Sequence, residues 1–376
     1  MRLTRPWRLR ASTTRAAVHA LVGLVAIDLA AWGSLRLLPG DPITASYGRR
    51  TVALVYPGRS AGDVRRLLAE SWSRPAASDP SLAPREAPFQ GRFVNVDRAG
   101  FRFSRGQGPW PPDPGRANVF VFGGSTAFGY GVSDDETIAS EIQAFVDERI
   151  GRERVSCYNF GGRGFCEASE RLLFQQLLAR GVVPRVAVFV DGLNEFASEE
   201  PGESPATAAP GGPSASSLSP FVNLWPLSRL VTVCGAGSGE CSGEAGQPCP
   251  LDDPALLDAR IERYLANRRL IAAAAGGRGV RALFVWQPAP TYRYDPRWHL
   301  FGDVHRLRQD CSAAGYARMA GRARGGVLGP DFLWLADLQE GARMPLYVDA
   351  VHYTPLMSAW IGDEISLALL KGRMLP

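Results

Sequence analysis

Short, continuously apolar runs alternate with amphipathic stretches along most of the chain after residue 116. A strand that is covered by helices on both faces has such a continuous pattern, whereas a helix lying on a sheet is apolar along one side only. The alternation therefore predicts a mostly parallel, five-stranded sheet between two helical layers, a three-layer α/β/α sandwich. The predicted strands are Asn118–Phe122, Arg154–Phe160, Arg185–Val190, Ala282–Trp286 and Phe332–Ala336.

Capping signals delimit the helices between these strands. Ser133–Glu136 has the pattern of a capping box and predicts a helix that runs to about Ile150. Thr354 as the N-cap, with Pro355 at the first helical position, predicts a last helix to about Leu370. The other helices are predicted to end near Arg180, to span Pro254–Ala275 and to run from about Trp298 to Gly321.

An arginine cluster precedes an apolar segment at the N-terminus. Residues 1–15 contain five arginines and no acid, and Ala16–Leu35 is interrupted only by His19 and Asp28. Because positive charge keeps a terminus cytoplasmic, this pattern predicts a cytoplasmic tail and a single-pass transmembrane anchor over residues 16–38. A cleaved signal peptide is the alternative, and both place the remaining chain in an extracytoplasmic or periplasmic location. A buried helix of a cytosolic protein is the third interpretation.

The rest of the chain divides into a spacer and a main domain. Residues 39–116 are rich in Pro and Arg and are predicted to form a juxtamembrane spacer that packs on the main domain. This spacer is predicted to contain a strand at Thr51–Tyr56 and a helix at Asp63–Trp72. The main domain then spans residues 117–376. Within it, residues 198–250 break the alternation with Pro, Gly and Ser, so they are predicted to be a surface insertion.

Charge and residue usage exclude several classes of function. The chain has 42 basic and 37 acidic residues, and the five N-terminal arginines account for its net charge of +5. The chain after residue 15 therefore has no net charge, which argues against nucleic-acid binding by bulk electrostatics. The only lysine is Lys371, so the chain contains no Gly-Lys-Ser/Thr sequence of a P-loop.

Six cysteines are present, and none of them forms a C-x-x-C pair that would indicate zinc or thioredoxin-type chemistry. No metal or cofactor is therefore predicted. Three of the cysteines lie in the Gly-, Ser- and Pro-rich insertion, where a disulfide would restrain the chain. The expected bond joins Cys234 to either Cys241 or Cys249, and the remaining connectivity is left open.

Polar or glycine-rich segments follow the first three predicted strands, and a fourth precedes the last helix. Ligands of open parallel sheets bind beyond the carboxyl ends of the strands, so these segments are candidates for one site. They are Gly123–Thr126, Asn159–Gly164, Asp191–Glu195 and Asp349–His352.

The four segments together supply the groups of a serine hydrolase. Nucleophilic catalysis by serine needs a hydroxyl, an imidazole that takes its proton and a carboxylate that orients the imidazole. Ser125, His352 and Asp349 are the candidates, with Asp349 three residues before His352 in a loop that enters a helix. The Ser125 N–H, a glycine N–H of the second segment and the Asn194 amide are candidate donors for the oxyanion.

In this order, the four segments resemble the SGNH/GDSL hydrolase superfamily, which has a flavodoxin-like, three-layer α/β/α fold. The resemblance implies that Ser125 is the nucleophile and that Asp349 and His352 complete the triad. It also implies that Gly164, counted from the Asn that ends the second strand, and Asn194 join the Ser125 N–H in the oxyanion hole. Two positions depart from the family pattern, because Gly124 and Glu195 each stand where an Asp is usual.

The resemblance implies an esterase, lipase or carbohydrate deacetylase, or an acyltransferase if a sugar hydroxyl replaces water. Asn95–Arg102 is similar to a motif of membrane-anchored members that are associated with cell-envelope polysaccharides. We therefore expect an acylated carbohydrate, with acetyl as the favoured acyl group, and polysaccharide-assembly proteins as partners. Another small ester is the alternative substrate. A non-catalytic glycan-binding or scaffold protein is the alternative function.

Some residues carry weaker signals. Gly124, Arg163 and His299 are predicted to contact substrate, although His299 on a helix and Arg163 among many arginines are more typical of packing and surface residues. Gly58–Gly62 matches the G-x-S-x-G elbow of α/β-hydrolases. No strand that could supply an oxyanion hole precedes it, so Ser60 is not a predicted nucleophile.

Overall fold

The computed structural model describes residues 41–74, 86–196, 254–302 and 312–376, together with His19 and Gly23. Two short strands pair antiparallel, and five longer ones form a parallel sheet in the order β4-β3-β5-β6-β7. These five strands lie close to the predicted bounds, which confirms the mostly parallel α/β sheet. The strands are β1 (Phe89–Gln90), β2 (Asn95–Val96), β3 (Ala117–Gly123), β4 (Val155–Asn159), β5 (Val186–Asp191), β6 (Arg281–Trp286) and β7 (Phe332–Trp334).

Eight α-helices lie in the described ranges. Two of them belong to the N-terminal part, one is a short turn after β3, and the others flank the sheet. The helices are α1 (Pro42–Leu54), α2 (Ala61–Trp72), α3 (Ser125–Phe128), α4 (Ile138–Arg149), α5 (Glu167–Ala179), α6 (Pro254–Gly276), α7 (Ser312–Arg324) and α8 (Pro355–Lys371).

The two faces of the sheet have different side chains. Because successive residues of a strand point to opposite faces, Val119 and Val121 of β3 pack with α4 and α8, while Phe120 and Phe122 pack with α5 and α6. All four side chains are fully buried. The sheet therefore has one aliphatic and one aromatic face, each covered by helices.

The N-terminal part is helical where a strand was predicted, so the strand prediction for Thr51–Tyr56 is wrong. Asp41 caps α1 by accepting a hydrogen bond from the Thr44 N–H (2.6 Å), and after a kink at Gly48, whose φ is 77°, a second helical segment continues to Leu54. Val52, Val55 and Tyr56 are buried, whereas Leu54 is exposed, which is helical rather than strand spacing. The predicted helix at Asp63–Trp72 is confirmed as α2, and Ser60 is its N-cap, accepting from the Asp63 N–H.

Two predicted helix starts also need correction. The capping box at Ser133–Glu136 is present, but it closes a single 3-10 turn, and α4 begins afterwards with Thr137 as its own N-cap. The predicted helix from Trp298 is wrong at its start, because Pro296–Trp298 is one 3-10 turn that ends at His299. Residues 303–311 lie outside the described ranges, and α7 is described from Ser312.

The predicted single-pass anchor and extracytoplasmic location are corrected. Across the described residues, no helix is both long and apolar enough to cross a bilayer. The longest of these helices, α6, carries charged side chains such as Arg260, Glu262 and Arg263, whose burial in lipid is costly. The predicted segment 16–38 lies outside the described residues apart from His19 and Gly23, and so do the insertion 198–250 and its cysteines.

Candidate active site

The four segments meet at the carboxyl edge of the sheet. Gly123 at the end of β3 lies opposite Val190 of β5, and Asp191 lies opposite Trp286 of β6, so the strands end almost level. The backbone turns sharply into α3 at Gly123, whose φ is 154°. A Cβ there would lie 2.5 Å from the Ala127 Cβ and 2.9 Å from the Val190 carbonyl oxygen, so only glycine fits this turn.

Ser125, His352 and Asp349 form a continuous hydrogen-bonded relay. His352 Nε2 lies 2.8 Å from Ser125 Oγ, although the two residues are 227 positions apart in the sequence. On the other side of the ring, His352 Nδ1 lies 2.6 Å from Asp349 Oδ2. The second oxygen of Asp349 accepts from the backbone N–H groups of Val351 (2.9 Å) and His352 (2.7 Å). The backbone of the loop thus holds one oxygen of the Asp349 carboxylate while the other oxygen bonds to the His352 ring.

The electrostatics of this relay favour an ionised Asp349. Burial raises the pKa of the Asp349 carboxyl, but the His352 imidazole and the two backbone donors outweigh it and hold the pKa below its ordinary value. An ionised Asp349 accepts the Nδ1 proton of His352, which leaves Nε2 unprotonated toward Ser125. The arrangement is able to accept a proton from the serine hydroxyl.

Three groups of the four segments are the predicted oxyanion donors. The backbone N–H groups of Ser125 and Gly164 have no hydrogen-bond partner among the described residues. Gly164 has a φ of 65°, and a Cβ there would meet no atom within 4 Å. The Asn194 amide donates to the Phe165 carbonyl oxygen (2.6 Å) through Nδ2, which carries a second hydrogen for another acceptor.

Gly124, one of the two departures from the family pattern, makes room for the Asn194 amide. A Cβ at position 124 would collide with Asn194 Nδ2 and lie 3.1 Å from the Phe165 carbonyl oxygen. The absence of a side chain at this position is therefore what allows Asn194 to approach the nucleophile turn. The structure thus gives Gly124 a spatial role beside Asn194, whereas the sequence predicted contact with substrate.

Glu195, the other departure, belongs to a group of buried carboxyls behind Asn194. Its Oε1 accepts from the Glu167 N–H (2.9 Å) in the first turn of α5. Burial and the neighbouring acids raise the pKa of Glu167, Glu170 and Asp191, and burial raises the pKa of Glu195. In the described ranges, no group of His, Cys, Asp or Glu has an arrangement that could hold a metal ion.

Two aromatic rings that the sequence analysis missed contact His352. The Tyr130 ring stacks on the imidazole at 5.2 Å between centroids, and the Trp72 ring meets it nearly perpendicularly at 5.8 Å. Arg163 Nε and Arg74 Nη2 both donate to the Tyr130 hydroxyl (2.9 and 3.2 Å). Arg163 therefore reaches a ring that stacks on His352, and its contact with substrate stays a prediction.

The N-terminal part of the chain also fixes the loop that follows α3. Arg102 is fully buried and donates to the carbonyl oxygens of Phe128 (2.9 Å) and Val132 (2.6 Å). Its Nε also pairs with Asp134 (2.9 Å), which accepts from the Asn95 side chain as well. The Asn95–Arg102 motif thus has a structural role close to the nucleophile. No sequence signal revealed that these residues, or Trp72, would reach the site.

His299 lies beside the loop of the triad. It is 8% exposed, its ring stacks on Tyr347 at 5.2 Å, and Nε2 lies 3.1 Å from the Ala350 carbonyl oxygen. Burial lowers the pKa of its imidazole. His299 is not part of a long helix, because the 3-10 turn Pro296–Trp298 ends at it. Its contact with the Ala350 carbonyl oxygen supports the backbone between Asp349 and His352.

No family model and no curated protein matches the chain. Several solved structures are similar to it. A GDSL-like lipase from Bacteroides thetaiotaomicron is 12% identical, with 69% of this chain and 91% of that chain covered and a TM-score of 0.37. For the lipase/acylhydrolase from Enterococcus faecalis, the identity is 12%, the coverage 68% and 96%, and the TM-score 0.36.

A lipase from a goat rumen metagenome is similar to the same extent, with 12% identity, 67% and 96% coverage and a TM-score of 0.39. These similar structures are lipases and an acylhydrolase. Such low identities and TM-scores carry no function to this chain. The resemblance to the SGNH/GDSL superfamily rests on the chain's own four segments.

Proposed function

We propose that this protein is a serine ester hydrolase of the SGNH type. The observation that carries the proposal is the relay from Asp349 through His352 to Ser125, with both hydrogen bonds at 2.8 Å or less. A protein that only binds glycans needs none of these contacts. Each step of the proposed reaction uses side chains, backbone N–H groups and water.

In the first half of the reaction, Ser125 Oγ attacks the ester carbonyl carbon while His352 Nε2 takes its proton. The carbonyl oxygen becomes an oxyanion, toward which the N–H groups of Ser125 and Gly164 and the Asn194 amide are proposed to donate. Collapse of this intermediate expels the alcohol, which receives the proton from His352, and leaves the acyl group on Ser125.

In the second half, water attacks the acyl group and gives its proton to His352, and the acid leaves as the proton returns to Ser125 Oγ. A sugar hydroxyl in place of water would make the same site an O-acyltransferase. The negative charge of Asp349 stabilises the imidazolium that forms in both halves. This role agrees with the lowered pKa of the Asp349 carboxyl.

For the substrate, we propose an acetyl ester on a carbohydrate. The support is the partly exposed Trp72 next to His352, because sugar rings pack well on aromatic side chains that are wetted on one side. Polysaccharide-assembly proteins remain proposed partners. A non-catalytic scaffold role is the competing function.

The test is hydrolysis of p-nitrophenyl acetate by the full chain and by Ser125→Ala and His352→Ala. We expect each substitution to lower kcat by about 10³-fold or more, as for triad deletions in general. Ser366→Ala is the matched control, since this serine is also buried but donates to the Gly362 carbonyl oxygen within α8. Equal rates in all four proteins would remove the ester hydrolase proposal.

Substrate preference needs a second experiment. Acetylated xylan and p-nitrophenyl octanoate are compared with p-nitrophenyl acetate. A higher kcat/KM for the octanoyl ester would contradict the acetyl carbohydrate proposal and favour a lipase, while hydrolysis by Ser125 would stand.

A further inference from the structure

Gln287 is a buried amide that contacts the residues next to both the nucleophile and the base. It directly follows β6, its N–H donates to the Asp191 carbonyl oxygen (2.9 Å), and it is 2% exposed. In the described part of the chain, no hydrogen bond joins its side chain to Ser125 or His352. The partners of its side chain are Thr126, the residue after Ser125, and Tyr353, the residue after His352.

Both contacts converge on one oxygen. Thr126 Oγ1 donates to Gln287 Oε1 at 2.7 Å. The Tyr353 hydroxyl lies 2.9 Å from the same oxygen and 2.6 Å from the Pro288 carbonyl oxygen, so its single hydrogen is shared between two acceptors. Thr126 and Tyr353 are 3% and 2% exposed, so water does not readily replace these bonds.

The Gln287 side-chain oxygen connects two elements that are far apart in the sequence. Ser125 is on the turn after β3, and His352 is on the loop before α8, with no chain connection between them shorter than 227 residues. Gln287 Oε1 joins the two elements one residue away from each reacting side chain. Loss of this acceptor removes the link between the two elements, because the Thr126 hydroxyl loses its partner in a buried site and the Tyr353 hydroxyl keeps only the Pro288 carbonyl oxygen.

We propose that Gln287 is a positioning residue that holds Ser125 Oγ and His352 Nε2 at hydrogen-bonding distance. This inference rests on the proposed ester hydrolysis, and it adds a residue that directly follows β6. Reactions between positioned groups lose rate steeply when the groups are displaced by fractions of an ångström.

The test compares Gln287→Met with Gln143→Met in the full chain. Methionine keeps the length of the side chain and removes the acceptor. Gln143 is equally buried at 2% and bonds to Asp147, Val155 and Cys157, outside the four segments. The measurements are kcat and KM for p-nitrophenyl acetate, the melting temperature, and the NMR shifts of the His352 ring, assigned with His352→Gln.

We expect Gln287→Met to lower kcat by about 10- to 100-fold with KM changed less than about threefold, and to shift the His352 ring signals. Gln143→Met is expected to lower the melting temperature similarly but to change neither kcat nor the ring signals. Thr126→Val and Tyr353→Phe, each lacking one hydroxyl, are expected to show smaller losses in kcat and serve if Gln287→Met does not fold.

Two outcomes separate the two proposals. Equal kcat and equal ring signals in Gln287→Met and Gln143→Met would overturn the positioning role. If the wild type and Ser125→Ala hydrolyse the ester equally, ester hydrolysis by Ser125 fails, and the ring signals alone then decide whether Gln287 positions His352.

Discussion

Asp349 and the pair Glu170–Asp191 are buried carboxyls close to the same edge of the sheet, but their pKa values are shifted in opposite directions. Asp349 has three donor contacts, and its pKa lies below the ordinary value. As carboxylates, Glu170 and Asp191 have no donor partner in the described part of the chain. Burial is the larger cause and repulsion from neighbouring acids the smaller cause that raise the pKa of both carboxyls.

The difference shows that burial alone does not decide the charge of a carboxyl. A pair of acids without donors is satisfied when one of them is protonated and donates to the other. Asp349 instead receives its donors from a short loop and from the ring that it orients. Asp349, with its lowered pKa, lies in the relay, whereas Glu170 on α5 and Asp191 at the end of β5 have raised pKa values.

The largest expected effect comes from removing the charge of Asp349. Asp349→Asn places an amide beside Nδ1, favours the wrong imidazole tautomer and is expected to lower kcat by about 10⁴-fold. Asp191→Asn is the matched variant, and we expect its kcat to stay within about threefold of the wild type because Asp191 does not contact the relay. Steady-state hydrolysis of p-nitrophenyl acetate measures both. A loss of less than tenfold in Asp349→Asn would contradict the role of the charge.

A smaller effect is expected from Gly124→Ala, which changes no carboxyl. The added methyl group displaces the Asn194 amide, which lies on the segment that carries Asp191 and Glu195. Loss of one oxyanion donor lowers kcat by about 10²- to 10³-fold, so partial displacement is expected to cost about 10-fold or more, with little change in KM. Gly321→Ala is a control for folding, since that glycine is exposed on α7, has no positive φ, and a Cβ there meets no atom within 4 Å. Unchanged kcat in Gly124→Ala would argue against Asn194 as a donor.

The pH dependence of stability is expected to have opposite signs at the two sites. Asp349 has a lowered pKa in the folded state, so its stabilisation is present above its unfolded pKa near 3.8 and is lost as the pH falls through the folded value. The pKa of Asp191 is raised, so stability declines as the pH rises from about 3.8 toward the folded value.

Urea unfolding from about pH 2 to pH 8 checks these signs. The destabilisation by Asp349→Asn, about 1–3 kcal/mol at pH 8, is expected to be smaller near pH 2, where the Asp349 carboxyl of the wild type becomes protonated. Asp191→Asn is expected to stabilise the protein at pH 8 by about 1 kcal/mol, and less at pH 4. If both substitutions changed the free energy of unfolding with the same dependence on pH, the two sites would not differ in charge.

The smallest effect concerns Glu195, which joins the acidic group to α5. Glu195→Gln keeps the acceptor for the Glu167 N–H and is expected to change the free energy of unfolding by less than about 0.5 kcal/mol. Glu195→Ala removes the acceptor and is expected to cost about 1 kcal/mol, as for the loss of a helix cap. Equal effects of the two substitutions would show that the hydrogen bond does not matter.

The sequence predicted the elements whose signals are local. The five apolar runs became the strands of one sheet, and the polar segments at their ends lie at one edge because parallel strands end on the same side. The same rule would have selected Gln287, which directly follows a predicted strand. The N-terminal strand prediction was wrong because an apolar run as short as Thr51–Tyr56 fits both periods, and its first four residues belong to the helical segment that follows the kink at Gly48.

By itself, the sequence determined the α/β sheet, the capped last helix and the local pair Asp349 and His352, because apolar periodicity, capping and a three-residue spacing are properties of adjacent residues. Only the tertiary structure decided that Trp72 and Tyr130 contact His352, that Gln287 joins two distant turns, and that the pKa of the buried Asp349 is lowered while the pKa values of Glu170 and Asp191 are raised. These features depend on which donors and rings a side chain meets across the fold, and no short stretch of sequence contains that information.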